Sequence, residues 1–231
     1  MSNVLVTGAN RGLGLEFARQ YAADGWRVFA CCRNPESAQE LAVLAGRHHN
    51  LSVHRLDVAD HEDIEALAGE LRDQAVDVLV NNAGTYGNRS AQQLGHIDYE
   101  DWSRTLRVNT LGPVRMLEAF LPHLERGERR VAATLTSLMG SIADNTSGGS
   151  YIYRTSKAAL NAAMKSAAVD LEARGIGILL LHPGWVKTDM GGSSALITPE
   201  ESIRALRQRI DEFDLSRTGR FINYDGREYP W

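Results

Sequence analysis

Short, almost wholly apolar runs alternate along this chain with segments whose apolar residues recur every three or four positions. The runs at 3–7 (NVLVT), 27–32 (RVFACC), 51–56 (LSVHRL), 76–80 (VDVLV), 131–136 (VAATLT), 176–181 (IGILLL) and 220–224 (RFINY) predict strands. Several are apolar at successive positions, as in strands covered on both faces. The segments at 13–23, 36–46, 61–73, 99–126, 152–173 and 199–211 predict helices. One helix start is explicit in TPEE, 198–201: Thr198 can cap, Pro199 suits the first turn and Glu201 completes a capping box. Alternation of strand and helix implies a doubly wound α/β fold, with a seven-stranded, mainly parallel sheet flanked by helices on both faces. No repeat, low-complexity tract or long linker interrupts the pattern, so one domain over 1–231 is expected.

Composition narrows the function classes. Of 231 residues, 43% are hydrophobic and 23% charged, enough to bury a substantial core. A net charge of −4 offers no basic field for nucleic acid. No apolar run approaches the ~20 residues of a membrane span. The start, MSNVLVTGAN, lacks a charged n-region and passes directly into a strand, so no signal peptide is expected. Cys31 and Cys32 are adjacent and would point to opposite faces of a strand, which argues against a disulfide between them. The expectation is a reduced, cytoplasmic protein. The histidines at 48, 49, 54, 61, 96, 123 and 182 show no ligand spacing, and no metal site is expected.

The first candidate chemistry lies in TGANRGLG, 7–14, which ends the first strand and opens the first helix. Gly8, Gly12 and Gly14 allow a tight turn and a close approach of backbone to a ligand. The helix N-terminus then presents free N–H groups and a positive dipole end to a pyrophosphate. The spacing differs from the common G-x-G-x-x-G, and a plain strand–helix turn is the competing reading. After the second strand, a fold selective for NAD often carries an acid for the ribose 2′-hydroxyl. This chain reads ACCRN there, with Arg33 in that stretch and Arg11 inside the glycine loop. Two guanidiniums beside one ribose suit a 2′-phosphate, which arginine grips bidentately; two solvated surface arginines are the alternative.

With these motifs in order, the chain resembles the short-chain dehydrogenase/reductase family over nearly its whole length. The glycine motif matches 7–14, NNAG matches 81–84, Asn-x-x-Gly matches Asn109 to Gly112, and a serine after the fifth strand matches Ser137. Tyr-x-x-x-Lys matches Tyr153 and Lys157, and Pro-Gly after the sixth strand matches Pro183-Gly184 with Thr188 following. TGANRGLGLE, CCRNPE and the ending GRFINYDGREYPW resemble the C-factor-like and carbonyl-reductase-like branch. The resemblance implies a Rossmann fold and NADP(H), preferred over NAD(H). Gly8, Asn10, Arg11, Gly12, Leu13, Gly14 and Arg33 would meet its phosphates. Asp57, with Val58, would meet the adenine, although Asp57 is also suited to cap the next helix. Asn81, Ala83 and Gly84 would wall the adenine ribose, and Pro183, Gly184, Val186 and Thr188 would meet the nicotinamide end.

Two tyrosines precede Lys157 in SYIYRTSK, 150–157. Residues four apart share a helix face, about 5–6 Å apart at Cβ, so Tyr153 and not Tyr151 is in register with the lysine. An ammonium and an oxidised nicotinamide would both favour the phenolate, letting Tyr153 donate or accept a proton; packing in the core is the alternative. Ser137 would bind the substrate oxygen, with Thr136 and Ser141 as rivals that the family match sets aside. The extra ADNTSGG stretch before Ser150 is expected to lengthen a loop beside the site. Pro113, four residues after Asn109, cannot donate to the Asn109 carbonyl and should kink its helix there. In the family this carbonyl holds a water that relays protons to the lysine. The resemblance also implies pairing of helices 99–126 and 152–173 between subunits, as a dimer or tetramer. The residues after Thr188 form an expected lid at about 189–200, and Leu138, Met139, Trp185 and Met190 suggest an apolar substrate cavity. The reaction expected is interconversion of a carbonyl compound and its alcohol; the alternative is a cofactor-binding signalling protein of C-factor type with little turnover.

Overall fold

A computed structural model describes residues 1–231. In chain order its elements are β1 (Asn3–Thr7), α1 (Gly12–Ala23), β2 (Arg27–Cys32), α2 (Gln39–Arg47), β3 (Leu51–Arg55), α3 (His61–Glu70) and β4 (Val78–Asn81), then α4 (Tyr99–Leu106), α5 (Gly112–Arg126), β5 (Val131–Leu135), α6 (Tyr151–Leu171), β6 (Gly177–His182), α7 (Pro199–Asp211) and β7 (Arg220–Asn223). The sheet runs β3-β2-β1-β4-β5-β6-β7. Every pairing between these strands is parallel, so "mainly parallel" becomes wholly parallel. Each return to one of these seven strands passes through a crossover; the one antiparallel pairing is an isolated bridge, Ile222 to Glu228, where the chain turns back after β7.

The alternation of side chains explains the two-sided core. Val4 and Val6 of β1 pack with α1, α2 and α7 through Phe17, Tyr21, Leu41, Ile203 and Leu206. Leu5, between them, faces the other layer, where Ile64 of α3, Met116 and Phe120 of α5 and Leu160 and Met164 of α6 lie. Successive strand residues point to opposite faces, and both faces are covered here. The adjacent cysteines follow the same rule. Cys32 joins the first layer and Cys31 the second, and both are free and buried.

The element ends carry most of the departures from the sequence reading. The helix expected at 36–46 is split into a short 3₁₀ turn at Pro35–Ser37 and α2. Tyr151 is the first residue of α6, not a residue ahead of the helix. The helix expected over 99–126 is broken into α4 and α5 by a wide π turn at Arg107–Leu111. There the Gly112 N–H reaches back to the Arg107 carbonyl, and Pro113 follows with no N–H to give. The interruption thus falls where proline removes the Asn109 partner.

Helix starts differ in a way that bears on function. Asp60 caps α3, Asp98 caps α4, and Thr198 with Glu201 forms a complete capping box on α7. The helices α1 and α6 have no side-chain cap of their own. Both begin at the same edge of the sheet, outside the carboxyl ends of β1 and β5. The strand order reverses between β1 and β4, and the crevice of such a sheet opens at that point.

Candidate active site

The glycine turn is built by three different constraints. Gly8 and Gly12 have φ of 66° and 53°, the left-handed region in which a side chain is strained. Gly14 is helical, but a Cβ there would lie 2.1 Å from the Gly8 carbonyl oxygen. Arg11 enters α1 in extended conformation with no side chain on the helix end and no acid in the first turn. The first N–H groups of α1 therefore remain open to an anion. Thr188 closes over this turn, since a Cβ at Gly12 would meet the Thr188 methyl at 3.6 Å. Asn10 belongs to the same turn, and Leu13 packs against the core.

A brace across the switch point holds the turn. The Thr7 hydroxyl accepts from the N–H of Asn82 at 3.1 Å and of Ala83 at 3.0 Å. The Asn82 amide donates back to the carbonyls of Thr7 at 2.8 Å and Gly8 at 3.2 Å. Asn81, expected in the ribose wall, instead directs its side chain within the fold toward the Pro113 carbonyl and the Thr134 hydroxyl. The strand's alternation decides this: Asn81 ends β4 facing α5, and Asn82 turns toward β1. Ala83 and Gly84 follow at the crevice.

The two arginines differ in their partners. Arg11 pairs with Asp189 of the 189–200 segment at 2.9 Å, both groups largely exposed. Arg33 lies exposed after β2 and makes no hydrogen bond or ion pair. Asp57 accepts from the Ala59 N–H at 2.9 Å, while the cap of α3 is Asp60. One Asp57 oxygen thus shapes a turn and the other is free. Val58 is buried where α5 begins; a Cβ on Gly112 would strike the Val58 carbonyl oxygen at 2.5 Å.

Ser137 ends the run after β5 and starts a 3₁₀ turn at Leu138–Gly140. Its hydroxyl accepts from the Met139 N–H at 3.1 Å and keeps its proton free. Both rivals are committed elsewhere. Thr136 donates to Asn161 at 2.5 Å, and Ser141 donates to the Trp231 carbonyl at 3.2 Å. Asn161 of α6 also donates to the Gly140 carbonyl at 3.3 Å. A Cβ on Gly140 would be 2.9 Å from the backbone of Lys157. This close contact sets the serine turn against the α6 turn that carries Tyr153 and Lys157.

Lys157 is buried, and its Nζ donates to the Leu135 carbonyl at 2.9 Å. Burial lowers its pKa to about 8. Tyr153 is also buried, and burial pushes its phenol up to about 12, with Ser137 opposing the rise and Tyr86 adding to it. The lysine was expected to favour the phenolate. In the protein alone it does not offset desolvation, because its ammonium is turned to the Leu135 carbonyl and is itself penalised by burial.

Asn109 is fully buried and acts as a clamp. Its side chain accepts from the Thr85 N–H at 2.8 Å and donates to the Thr85 carbonyl at 2.8 Å and the Ser156 hydroxyl at 3.0 Å. A Cβ built on Gly84 would sit 3.4 Å from the Asn109 side-chain oxygen and 3.7 Å from the Lys157 Nζ, so these three residues meet at one point.

Pro183 and Gly184 turn the chain out of β6, with Gly184 at φ 83°. The Pro183 carbonyl accepts from Ser202 at 2.7 Å. Val186 bridges to Ile197, and Lys187 donates to the Ile197 carbonyl at 2.9 Å. The Trp185 indole donates to the Gly191 carbonyl at 2.8 Å. The residues after Thr188 are thus tied back to Trp185, Val186 and Lys187. Arg89 reaches across to the Met190 carbonyl and stacks over the Tyr86 ring at 4.5 Å.

Sequence reasoning missed Thr7, Asn82, Tyr86 and Gln92. Asn82 was visible in NNAG but carries no role there without knowledge of the β1–β4 neighbourhood. Tyr86 and Gln92 lie in an aperiodic loop, and only the fold brings them to α6. No group of three or more His, Cys, Asp or Glu is placed to hold a metal ion.

The profile of the family described as short chain dehydrogenase matches residues 2–196. The C-signal of Myxococcus xanthus is 50% identical over 156 residues, covering 68% of this chain and 93% of that protein. The carbonyl reductase Sniffer of D. melanogaster has a TM-score of 0.93 at 37% identity, with 100% of both chains covered. The NADPH-bound carbonyl reductase from chicken fatty liver has a TM-score of 0.93 at 34% identity, covering 100% of this chain and 99% of that one. With its ordered motifs brought to one crevice of a wholly parallel sheet, the chain belongs to the short-chain dehydrogenase/reductase family, in its carbonyl-reductase-like branch.

Proposed function

We propose that this protein is an NADP(H)-dependent oxidoreductase that interconverts an aldehyde or ketone and its alcohol. The observation that carries the proposal is the convergence of Ser137, Tyr153, Lys157 and the Asn109 clamp beside the open N-terminus of α1. When bound, the nicotinamide supplies or accepts the hydride. Gly8, Asn10, Gly12, Leu13 and Gly14 frame the phosphates, Asp57 and Val58 the adenine, and Ala83 and Gly84 the ribose. Pro183, Gly184, Val186 and Thr188 enclose the reactive ring, and Tyr153 and Lys157 border the nicotinamide ribose. With its pKa raised by burial, Tyr153 stays protonated at neutral pH, so in reduction its proton is present to be given to the carbonyl oxygen. Ser137, with its hydroxyl proton free, orients that oxygen. Lys157 supplies positive charge that favours the phenolate once the oxygen has taken the proton. Residues 1–231 serve one dinucleotide-binding domain, and the flap at 189–200 covers the substrate.

This assignment gives a signed pH dependence. Oxidation of the alcohol needs the phenolate, which is scarce at neutral pH because burial raises the Tyr153 pKa. Its kcat is expected to climb with pH from 7 to about 8 and less steeply above that, where Lys157 loses the charge that favours the phenolate, while the kcat for reduction, which needs the phenol, stays flat through neutral pH. A pH series in both directions with one carbonyl–alcohol pair tests this; an oxidation rate that falls with pH contradicts the assignment.

The NADP(H) preference rests on Arg11 and Arg33, and the NADPH-bound relative supports it. The exposed Arg11–Asp189 pair is of the kind worth only ~0–1 kcal/mol, so a doubly charged 2′-phosphate can take its place. Arg33→Ala is expected to raise the KM for NADPH about tenfold or more, as loss of a charge-assisted hydrogen bond does, and to leave the KM for NADH unchanged. A carbonyl panel followed by NADPH absorbance, with NADH in parallel, tests the whole reading; equal use of both cofactors contradicts the preference. Self-association through α4–α5 and α6 fits the exposed apolar residues Tyr99, Leu111 and Val169. The second reading, a signalling protein with little turnover, is favoured by the C-signal relative. Tight NADPH binding with no turnover across the panel would support it. No helix is long and apolar enough to cross a membrane.

A further inference from the structure

We infer that Gln92 is a positioning residue: its one side-chain amide holds both members of the stacked Tyr86–Tyr153 pair in place. The rings lie 4.5 Å apart between centroids with 23° between their planes. Gln92 is 2% exposed and stands sixty-one residues before Tyr153. Its Oε1 accepts from the Tyr153 N–H at 3.0 Å, and its Nε2 donates to the Tyr86 carbonyl at 2.7 Å. Its own carbonyl accepts from the Tyr151 N–H at 3.2 Å. Only this orientation of the amide satisfies both side-chain bonds, because one partner donates and the other accepts.

The reason this role falls to a distant residue is local. The residue before α6, Ser150, is held left-handed at φ 49°, after Gly148 and Gly149, both at φ 64°. An N-cap residue ordinarily lies in the extended region and caps with its own side chain. Ser150 makes no such bond; its hydroxyl pairs with the Tyr86 hydroxyl at 2.9 Å. The first turn of α6 would have unsatisfied donors next to a buried phenol. Gln92 fills two of those vacant bonds and, in the same step, fixes the loop that presents Tyr86. That loop is anchored from below, where buried Asp101 accepts from the Asn88 N–H at 2.6 Å. An error of about 1 Å in placing an acid–base group can cost on the order of 100-fold in rate, so a bond at the Tyr153 backbone is well placed to matter.

The inference rests on the reading of Tyr153 as the acid–base group, and the test separates the two. Wild-type turnover of an apolar probe, 4-nitrobenzaldehyde with NADPH, and its loss in Tyr153→Phe concern that reading alone. Hydrogen exchange across 150–157 concerns Gln92 whatever the activity. In Gln92→Ala, exchange in the first turn of α6 is expected to quicken about tenfold or more with the rest of α6 unchanged. The kcat is expected to fall about tenfold or more, with NADPH affinity within about twofold of wild type. Gln92→Glu supplies the readout that a merely structural role would not move. Its protonated carboxyl can donate to Tyr86 and accept from Tyr153, whereas its ionised form can only accept. Its kcat relative to wild type should therefore be near full at pH 5.5 and fall about tenfold by pH 8.5. A flat ratio overturns the inference. So does unchanged exchange in Gln92→Ala, or a loss of NADPH binding in proportion to kcat.

Discussion

Tyr153→Phe is expected to lower kcat by about 100- to 10,000-fold, the usual contribution of a positioned acid–base group, with NADPH affinity within about twofold of wild type. The substitution is clean because of how the residue is held. Its backbone N–H stays bonded to Gln92 at 3.0 Å, and a phenyl ring keeps the stack on Tyr86. Ser137 and Lys157 also have bonds of their own, to Met139 and Leu135, which remain when the phenol is removed. The hydroxyl is therefore the only functional group removed. Turnover is read by NADPH absorbance and binding by quenching of tryptophan fluorescence. A variant that keeps more than about a tenth of wild-type kcat sinks the mechanism. A wild-type protein that binds NADPH but turns over no carbonyl compound moves the assignment to the signalling reading.

Gly14→Ala is expected to damage both stability and cofactor binding. The added methyl would sit 2.1 Å from the Gly8 carbonyl oxygen and 2.5 Å from the Asn82 amide nitrogen, closer than real contacts allow. Neither neighbour can retreat cheaply. The carbonyl belongs to a turn at φ 66°, and the amide is bonded to Thr7 and Gly8 as part of the β1–β4 brace. Overpacking of this kind costs about 1–3 kcal/mol, occasionally more. In a chain of 231 residues each kcal/mol lowers Tm by about 2–4 °C. The same displacement moves the first N–H groups of α1, so NADPH affinity should drop by about tenfold or more. Thermal melts with and without NADPH separate the two effects, since bound cofactor stabilises by mass action. An unaltered melt together with unaltered NADPH affinity would show that the turn yields more easily than its geometry indicates.

Much of the fold was legible because its signals are local. Burial on both faces wrote the parallel strands as apolar runs, and Thr198 and Glu201 marked the start of α7 within four residues. The break at Arg107–Leu111 could be read from Pro113, since a missing N–H acts on the residue four positions back. The choice of Tyr153 over Tyr151 followed from helical register alone, even though Tyr151 is itself the first residue of α6. Elsewhere local signals gave the wrong emphasis. Asn81 and Asn82 are identical neighbours, and only the direction of the last β4 side chain tells them apart. Arg11 also has a partner that its place in the glycine loop does not foretell, Asp189.

The sequence by itself determined the strand–helix alternation, the glycine turn and the order of the motifs, because each depends on spacing within one element or one turn. The tertiary structure decided everything that depends on which elements become neighbours. It freed Ser137 by occupying Thr136 with Asn161 and Ser141 with Trp231. It surrounded Tyr153 and Lys157 with enough protein to push the phenol up to about 12 and the ammonium down to about 8, against the shift that their pairing suggests. It also brought Gln92 to the uncapped end of α6. Desolvation and capping by a distant residue are sums over atoms from separate parts of the chain, and no local pattern records them.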